Sequence, residues 1–247
     1  MKTGQLLLAG GGALAAGAAG IAVGHLLPAV TTWRGLRCWA LPSLAGVGRA
    51  DHVALTFDDG PDPASTPAIL DQLDRLGWRA TFFVLGPMVR SAPSLAAELA
   101  ARGHEVGVHG DEHRSHLQRT PGAIRDDVAR ARDSIAEATG VAPTWFRPPY
   151  GALSGGSLAA AHRLGLRPVL WTTWGRDWRA EATPSTVVAD VAGGLRPGAT
   201  VLLHDSDCTS APDSWRATLG SLAPMAELFA DRGLEVGPLA EHGVRAA

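Results

Sequence analysis

His52-Val-Ala-Leu-Thr-Phe-Asp-Asp-Gly-Pro61 packs a short β-rich run, two adjacent carboxylates and a turn into a single stretch. The run over 52–57 is apolar and branched enough for a strand, and Gly60 permits the sharp turn that ends it. Outward from it the pattern recurs, with strands predicted at 80–85, 105–108, 144–146, 168–172, 199–203 and 234–236. Helical patterns separate them. Ile69, Leu73 and Leu76 share one face between Pro67, near a start, and Gly77 at a stop. Ile124, Val128, Ala131 and Ile135 form a buried stripe across 121–139, closed by Gly140. Strands separated by helices pair in parallel, so the expected fold is α/β. A distorted (β/α) barrel of about seven parallel strands fits best, and an open doubly wound sheet is the alternative.

The chain has 247 residues, 46% of them hydrophobic, enough for one catalytic domain with a short appendage. A net charge of −2 without a basic stripe argues against nucleic acid as a partner. Cys38 and Cys208 have no C-x-x-C spacing; bridged and free forms both stand. Residues 5–30 carry no charge and are rich in Leu, Ala, Gly, Ile and Val, long enough for a hydrophobic helix across a bilayer. This predicts a signal anchor over 1–30, with a cleaved signal peptide as rival. Lys2 before the run and Arg34 and Arg37 after it conflict, so charge does not set the orientation. Residues 31–50 then read as a linker or a strap, and 51–247 as the catalytic domain.

The polar residues cluster at one end of the predicted strands. Asp58 and Asp59 follow the first, His109 the third, Arg147 the fourth, Asp177 the fifth and His204 the sixth. In parallel α/β folds that rim is where residues distant in sequence converge. Each signal alone has an ordinary explanation. Asp-Asp-Gly is commonly a turn, yet two carboxylates so close repel unless one meets a cation and the other a cationic side chain. His109-Gly-Asp-Glu-His113 spaces two imidazoles to grip one ion, with Asp59 as third ligand and His116 as a possible substitute. Arg147-Pro-Pro-Tyr-Gly151 is a rigid turn that fixes a guanidinium suited to clamp a carboxylate. Trp171, Trp174 and Trp178 are core or sugar-facing, and His204 beside Asp205 is a competent proton donor. His25, His52, His104, His162 and His242 match no spacing and read as structural or solvated.

In this order the stretches resemble the polysaccharide deacetylase family, carbohydrate esterase family 4 with its NodB-homology domain, over roughly 52–236. That family carries T-F-D-D-G, H-[ST]-x-x-H, R-x-P-[YW], a motif ending in Asp-Trp, and L-x-H. The resemblance implies a divalent metal on Asp59, His109 and His113, commonly zinc, with cobalt or manganese as alternatives. It makes Asp58 the base that activates water, oriented by Arg147, and His204 the acid that protonates the leaving amine, tuned by Asp177. The Tyr150 backbone N–H would face the oxyanion, and Trp178 and Leu202 would receive the acetyl methyl group. The implied substrate is an extracytoplasmic N-acetylated glycan such as peptidoglycan or chitin, which would place the domain on the extracytoplasmic side of the cell membrane, or secrete it if the N-terminus is cleaved. Gly110 replaces the usual Ser or Thr, and Val108 and Trp174 stand where Asn and Asp are frequent. Two other readings remain: a deacylase or deformylase of a lipid-linked sugar, and a non-catalytic carbohydrate-binding barrel.

Overall fold

Every residue of β1, His52–Asp58, is buried, because neighbouring strands and helices cover both faces of a parallel sheet. The computed structural model describes residues 23–244. The other strands are β2 Thr81–Leu85, β3 Glu105–Gly110, β4 Trp145–Phe146, β5 Arg167–Pro168, β6 Thr173–Trp174, β7 Thr200–His204 and β8 Glu235–Gly237. They run in the order β5-β4-β3-β2-β1-β7-β6, with β8 beside the start of β1. All pairings are parallel. The result is the expected distorted barrel, curled but open between β5 and β6.

The opening explains the one strand that does not form as expected. The stretch 168–172 divides between the pairing edges of β5 and β6, and its middle bonds outside the sheet. Leu170 N–H donates to the Leu44 carbonyl, Arg37 to the Trp171 carbonyl at 2.6 Å, and Arg34 to the Thr172 carbonyl at 3.3 Å. Residues 31–48 thus pack across the gap and satisfy backbone groups that a closed barrel would pair between strands. Gly48 N–H continues the contact to the Gly198 carbonyl. The predicted anchor lies outside the described residues up to Ala22. Among the described residues no helix is long and apolar enough to cross a membrane. Cys38 and Cys208 are both free.

The helices follow their punctuation. Thr66–Leu76 buries Ile69, Leu70 and Leu73 and ends on Gly77 at φ +66°. Pro121–Thr139 starts on a Thr120 side-chain cap, buries Ile124, Val128, Ala131 and Ile135, and ends on left-handed Gly140. Beneath the rim Phe57 stacks on Phe82 with centroids 5.0 Å apart, both fully buried. Burying an aromatic of that size contributes roughly 1.5–3 kcal/mol, so the functional side chains stand on a well-packed floor.

Candidate active site

Adjacent residues in a strand point to opposite faces, so Asp58 and Asp59 need a device to share one site. Asp59 supplies it by leaving β1 with φ +85°, a left-handed conformation that Asp tolerates better than most residues. Gly60 follows, where a Cβ would collide with the Asp205 carboxylate. Asp205 accepts hydrogen bonds from Gly60 N–H at 3.1 Å and Thr66 Oγ1 at 2.6 Å, and burial pushes its pKa up to about 7.

His109 is placed by an irregularity in β3. Val84 pairs Val108 and Leu85 pairs Gly110, so His109 is the extra residue of a bulge, a device that re-aims a side chain. Its Nδ1 faces the Arg147 carbonyl at 2.8 Å and therefore carries the proton, leaving the Nε2 lone pair for a ligand. Nε2 of His109 lies 3.5 Å, and that of His113 3.6 Å, from Asp59 Oδ1. One donor atom from each of these three residues falls within 4.8 Å of the others. Asp59 Oδ2 accepts from Thr209 Oγ1 at 2.5 Å, whereas Oδ1 is buried with no hydrogen-bond partner. Two imidazole nitrogens around an orphaned carboxylate oxygen fit a divalent cation. Burial lowers the His109 pKa to about 3 against the pull of Asp59, so the ring is neutral, as a ligand must be.

The loop between the two histidines is held from below by Asp127. This buried carboxylate accepts from the Asp111 and Glu112 amides, both at 3.0 Å, and from Arg119 Nη1 at 2.8 Å. Gly110 sits at φ +136°, where a Ser or Thr would be strained. His116 is not a substitute ligand. It is fully buried, stacks on Phe146, and meets Ser157 Oγ at 3.0 Å through Nδ1.

Asp58 is tied differently from its neighbour. Arg147, fully buried, donates from Nη1 to Asp58 Oδ1 at 2.7 Å and to Thr56 Oγ1 at 2.8 Å, and from Nη2 to the Leu170 carbonyl at 2.9 Å. Its guanidinium carbon lies 4.0 Å from the Phe83 ring centroid. Burial raises the Asp58 pKa while Arg147 opposes it, so the carboxyl is a stronger proton acceptor than an ordinary aspartate. His204, ending β7, directs Nδ1 at Asp177 Oδ1 at 2.9 Å, and Asp177 Oδ2 accepts from His204 N–H and Thr218 Oγ1. Burial opposes the imidazolium, but Asp177, Asp59 and Asp58 outweigh it and raise the pKa to about 10.

Asp58, His109, His113 and His204 line one cavity of about 250 Å³ with Tyr150, Trp178 and Leu202. Asp59, Arg147 and Asp177 stand behind them. The structure thus brings together every residue to which the resemblance gives a role, and leaves His116 outside the site. Trp171 and Trp174, read as core or sugar-facing, line the cavity as well, and Asp205, read beside His204, turns toward Gly60 and Thr66; Thr209 and Ser210 join the lining, and Asp127 and Thr218 act as supports. Of Thr209, Ser210, Asp127 and Thr218, only Asp127 had a readable signal, a carboxylate on an otherwise apolar helix stripe.

The sequence profile described as polysaccharide deacetylase matches residues 45–169, just over half of the chain. The chain belongs to the polysaccharide deacetylase family. A chitooligosaccharide deacetylase of Bradyrhizobium sp. (strain ANU 289) is 38% identical over 195 residues, 76% of this chain and 88% of that protein. The solved Bc1960 peptidoglycan N-acetylglucosamine deacetylase superposes with a TM-score of 0.76 at 26% identity, covering 85% of this chain and 97% of that one. A carbohydrate esterase family 4 pseudoenzyme, BA3943 from Bacillus anthracis, superposes at 0.70 with 26% identity, covering 78% and 65%. Members with this fold therefore include a protein described as a pseudoenzyme, and the site residues must carry the argument for turnover.

Proposed function

We propose that this polysaccharide deacetylase removes N-acetyl groups from N-acetylglucosamine-type units of an extracytoplasmic glycan. One contrast carries the reading. Asp58 Oδ1 is engaged by a buried guanidinium, whereas Asp59 Oδ1 is unpartnered between two imidazoles. Asp59, His109 and His113 would hold a divalent cation, which would supply Lewis acidity toward the amide carbonyl and toward water. Zinc suits two nitrogens and one oxygen best, ahead of cobalt or manganese.

The chain's own residues do the rest. Asp58 takes the proton of the attacking water, and Arg147 keeps its carboxylate aimed at the cavity. His204 gives its proton to the amine nitrogen as the C–N bond breaks, yielding acetate and the free amine. Asp177 holds the imidazole in place, and a cation on Asp59 offsets part of the negative field that keeps His204 protonated. Trp178 packs edge-on against His204, centroids 5.5 Å apart, and with Leu202 forms an apolar seat for the methyl group. The Tyr150 backbone N–H serves the oxyanion. The relatives that act on chitooligosaccharides and peptidoglycan favour these polymers over a lipid-linked sugar. The apolar run 5–30 fits export to, or anchoring at, the membrane that such substrates lie beyond.

The test is acetate release by the full chain from a panel of N-acetylated glycans, before and after chelation, with zinc, cobalt and manganese added back separately. Turnover of chitooligosaccharides or peptidoglycan, lost on chelation and best restored by zinc, is the expected result. Turnover confined to lipid-linked sugars would move the substrate assignment. A metal-loaded protein that hydrolyses no N-acyl sugar leaves only the non-catalytic reading.

A further inference from the structure

Next to the catalytic cavity lies a second one of about 330 Å³, and Tyr150, Gly151, Trp171 and Trp174 line both. Its far side carries three guanidinium groups, Arg34, Arg37 and Arg176. Among the described residues none of them pairs with a carboxylate. Arg34 and Arg176 are exposed, and exposed arginines alone are ordinarily just solvated. Arg37 is different, being 2% exposed. Its two terminal nitrogens donate to the Thr31 and Trp171 carbonyls, each at 2.6 Å, and its Nε is buried without a partner.

Two carbonyl dipoles and the Trp171 ring, its centroid 5.5 Å from the guanidinium carbon, leave this buried cation without a counter-charge, and a buried charge is far less stable unpaired than paired. Burial lowers its pKa to about 10, with Cys38 opposing the shift and Arg147 and Arg34 adding to it. Arg147 is itself a cation, and among the described residues no carboxylate pairs with Arg37, so a counter-ion has to enter from the cavity that Arg37 lines. Arg176 sits at φ +49° with its guanidinium carbon 5.3 Å from the centroid of Trp174, a ring that lines both cavities. A planar fork of this kind suits carboxylate or phosphate oxygens.

We propose that this second cavity binds an acidic group, a carboxylate or phosphate, on the same glycan whose N-acetyl group enters the catalytic cavity. The inference rests on the deacetylase reading and narrows its substrate to an anionic glycan. The strap over residues 31–48 then has a second role beyond closing the sheet, since it supplies Arg34 and Arg37 to the substrate.

The experiment compares the full chain with an Arg34→Gln, Arg176→Gln double variant and with Arg176→Glu. The substrates are a neutral N-acetylglucosamine oligomer and two matched oligomers carrying a carboxylate or a phosphate on the neighbouring sugar. The ratio of kcat/KM for acidic over neutral oligomer is expected to fall about tenfold in the double variant, through KM, and further in Arg176→Glu. The arm that loses more identifies the acidic group. In the unaltered protein, KM for the acidic oligomers should rise with salt while the neutral one holds. An unchanged ratio in variants of unchanged Tm, together with a salt-independent KM, overturns the proposal. If no oligomer is turned over, the deacetylase reading fails by itself. Equilibrium binding of the acidic oligomers to the same proteins then decides the subsite: weaker binding by the double variant supports it, and equal binding overturns it.

Discussion

At the C-terminal rim of the sheet, His109, His113 and His204 each have an aspartate oxygen within 3.6 Å. At the opposite end, His52, His104 and His242 meet amides, carbonyls and one another. His242 Nε2 donates to the Gly46 and Gly198 carbonyls at 3.2 and 3.1 Å, so its neutral ring can only accept at Nδ1. His52 Nδ1 must then carry the proton it shares at 2.8 Å. His104 Nδ1 accepts from the Ala80 amide. Burial lowers the pKa of His104 and His242 to about 4, whereas carboxylates outweigh burial at His204 and raise it to about 10. An imidazole in a barrel is therefore a reagent or a structural peg according to what faces it, and burial by itself does not distinguish the two.

The sharpest way to break this contrast is one substitution at each end. Asp58→Asn is expected to lower kcat about 1000-fold, within the span of general-base contributions. Because it leaves the buried Arg147 cation without its counter-charge, it should also lower stability by about 3 kcal/mol. His242→Gln should cost about 1–3 kcal/mol of stability and leave kcat in place. Urea unfolding and steady-state kinetics on the same two proteins check both. If His242→Gln lowers kcat as far as Asp58→Asn does, the two ends are not functionally distinct.

Acidification probes the same contrast more gently. His104, His116 and His242 have folded pKa values of about 4, below the unfolded 6.5, so between those limits the unfolded chain binds more protons. Their contribution is complete above pH 6.5 and declines as pH falls, by about 1–2 kcal/mol each at pH 5. His204 acts in the opposite sense: its contribution is complete below 6.5 and is lost as pH rises through about 10. The urea midpoint should therefore drop between pH 7 and pH 5, and His242→Gln, which removes one titrating ring, should flatten that drop. An unchanged slope in the variant would show that its ring is not held neutral.

Much of this was legible in the chain because it depends on local rules. The helix Pro121–Thr139 combines a side-chain cap, a 3.6-residue stripe and a terminal glycine, and its predicted bounds match the observed ones. The rim residues were legible because strand ends converge. The stretch 168–172 was not, since the Leu170 amide and the Trp171 and Thr172 carbonyls find partners on residues 34–44, more than 100 positions earlier, and no local pattern encodes them. The supports Asp205 and Thr209 escaped for the same reason, as each acts on a residue about 150 positions away. Adjacency in sequence even misleads at Asp58-Asp59, where only the left-handed turn at Asp59 puts both carboxylates into one site.

The smallest expected effect tests whether a rim histidine can be made to resemble those at the other end. Asp177→Asn keeps an oxygen that can accept from His204 N–H and Thr218 but removes the charge beside the imidazole. Losing an adjacent opposite charge lowers a histidine pKa by about 1–2 units. His204 must be protonated to serve the leaving amine, so activity falls as pH rises through its pKa, and a lower pKa moves that fall to lower pH. The alkaline limb of kcat/KM should shift acidward by about 1–2 units, with the acid limb, set by the Asp58 side of the site, nearly unmoved. A limb that stays in place would mean that Asp177 only positions the ring. In that case the rim would differ from the far end by what its imidazoles touch, and no longer by how they are charged.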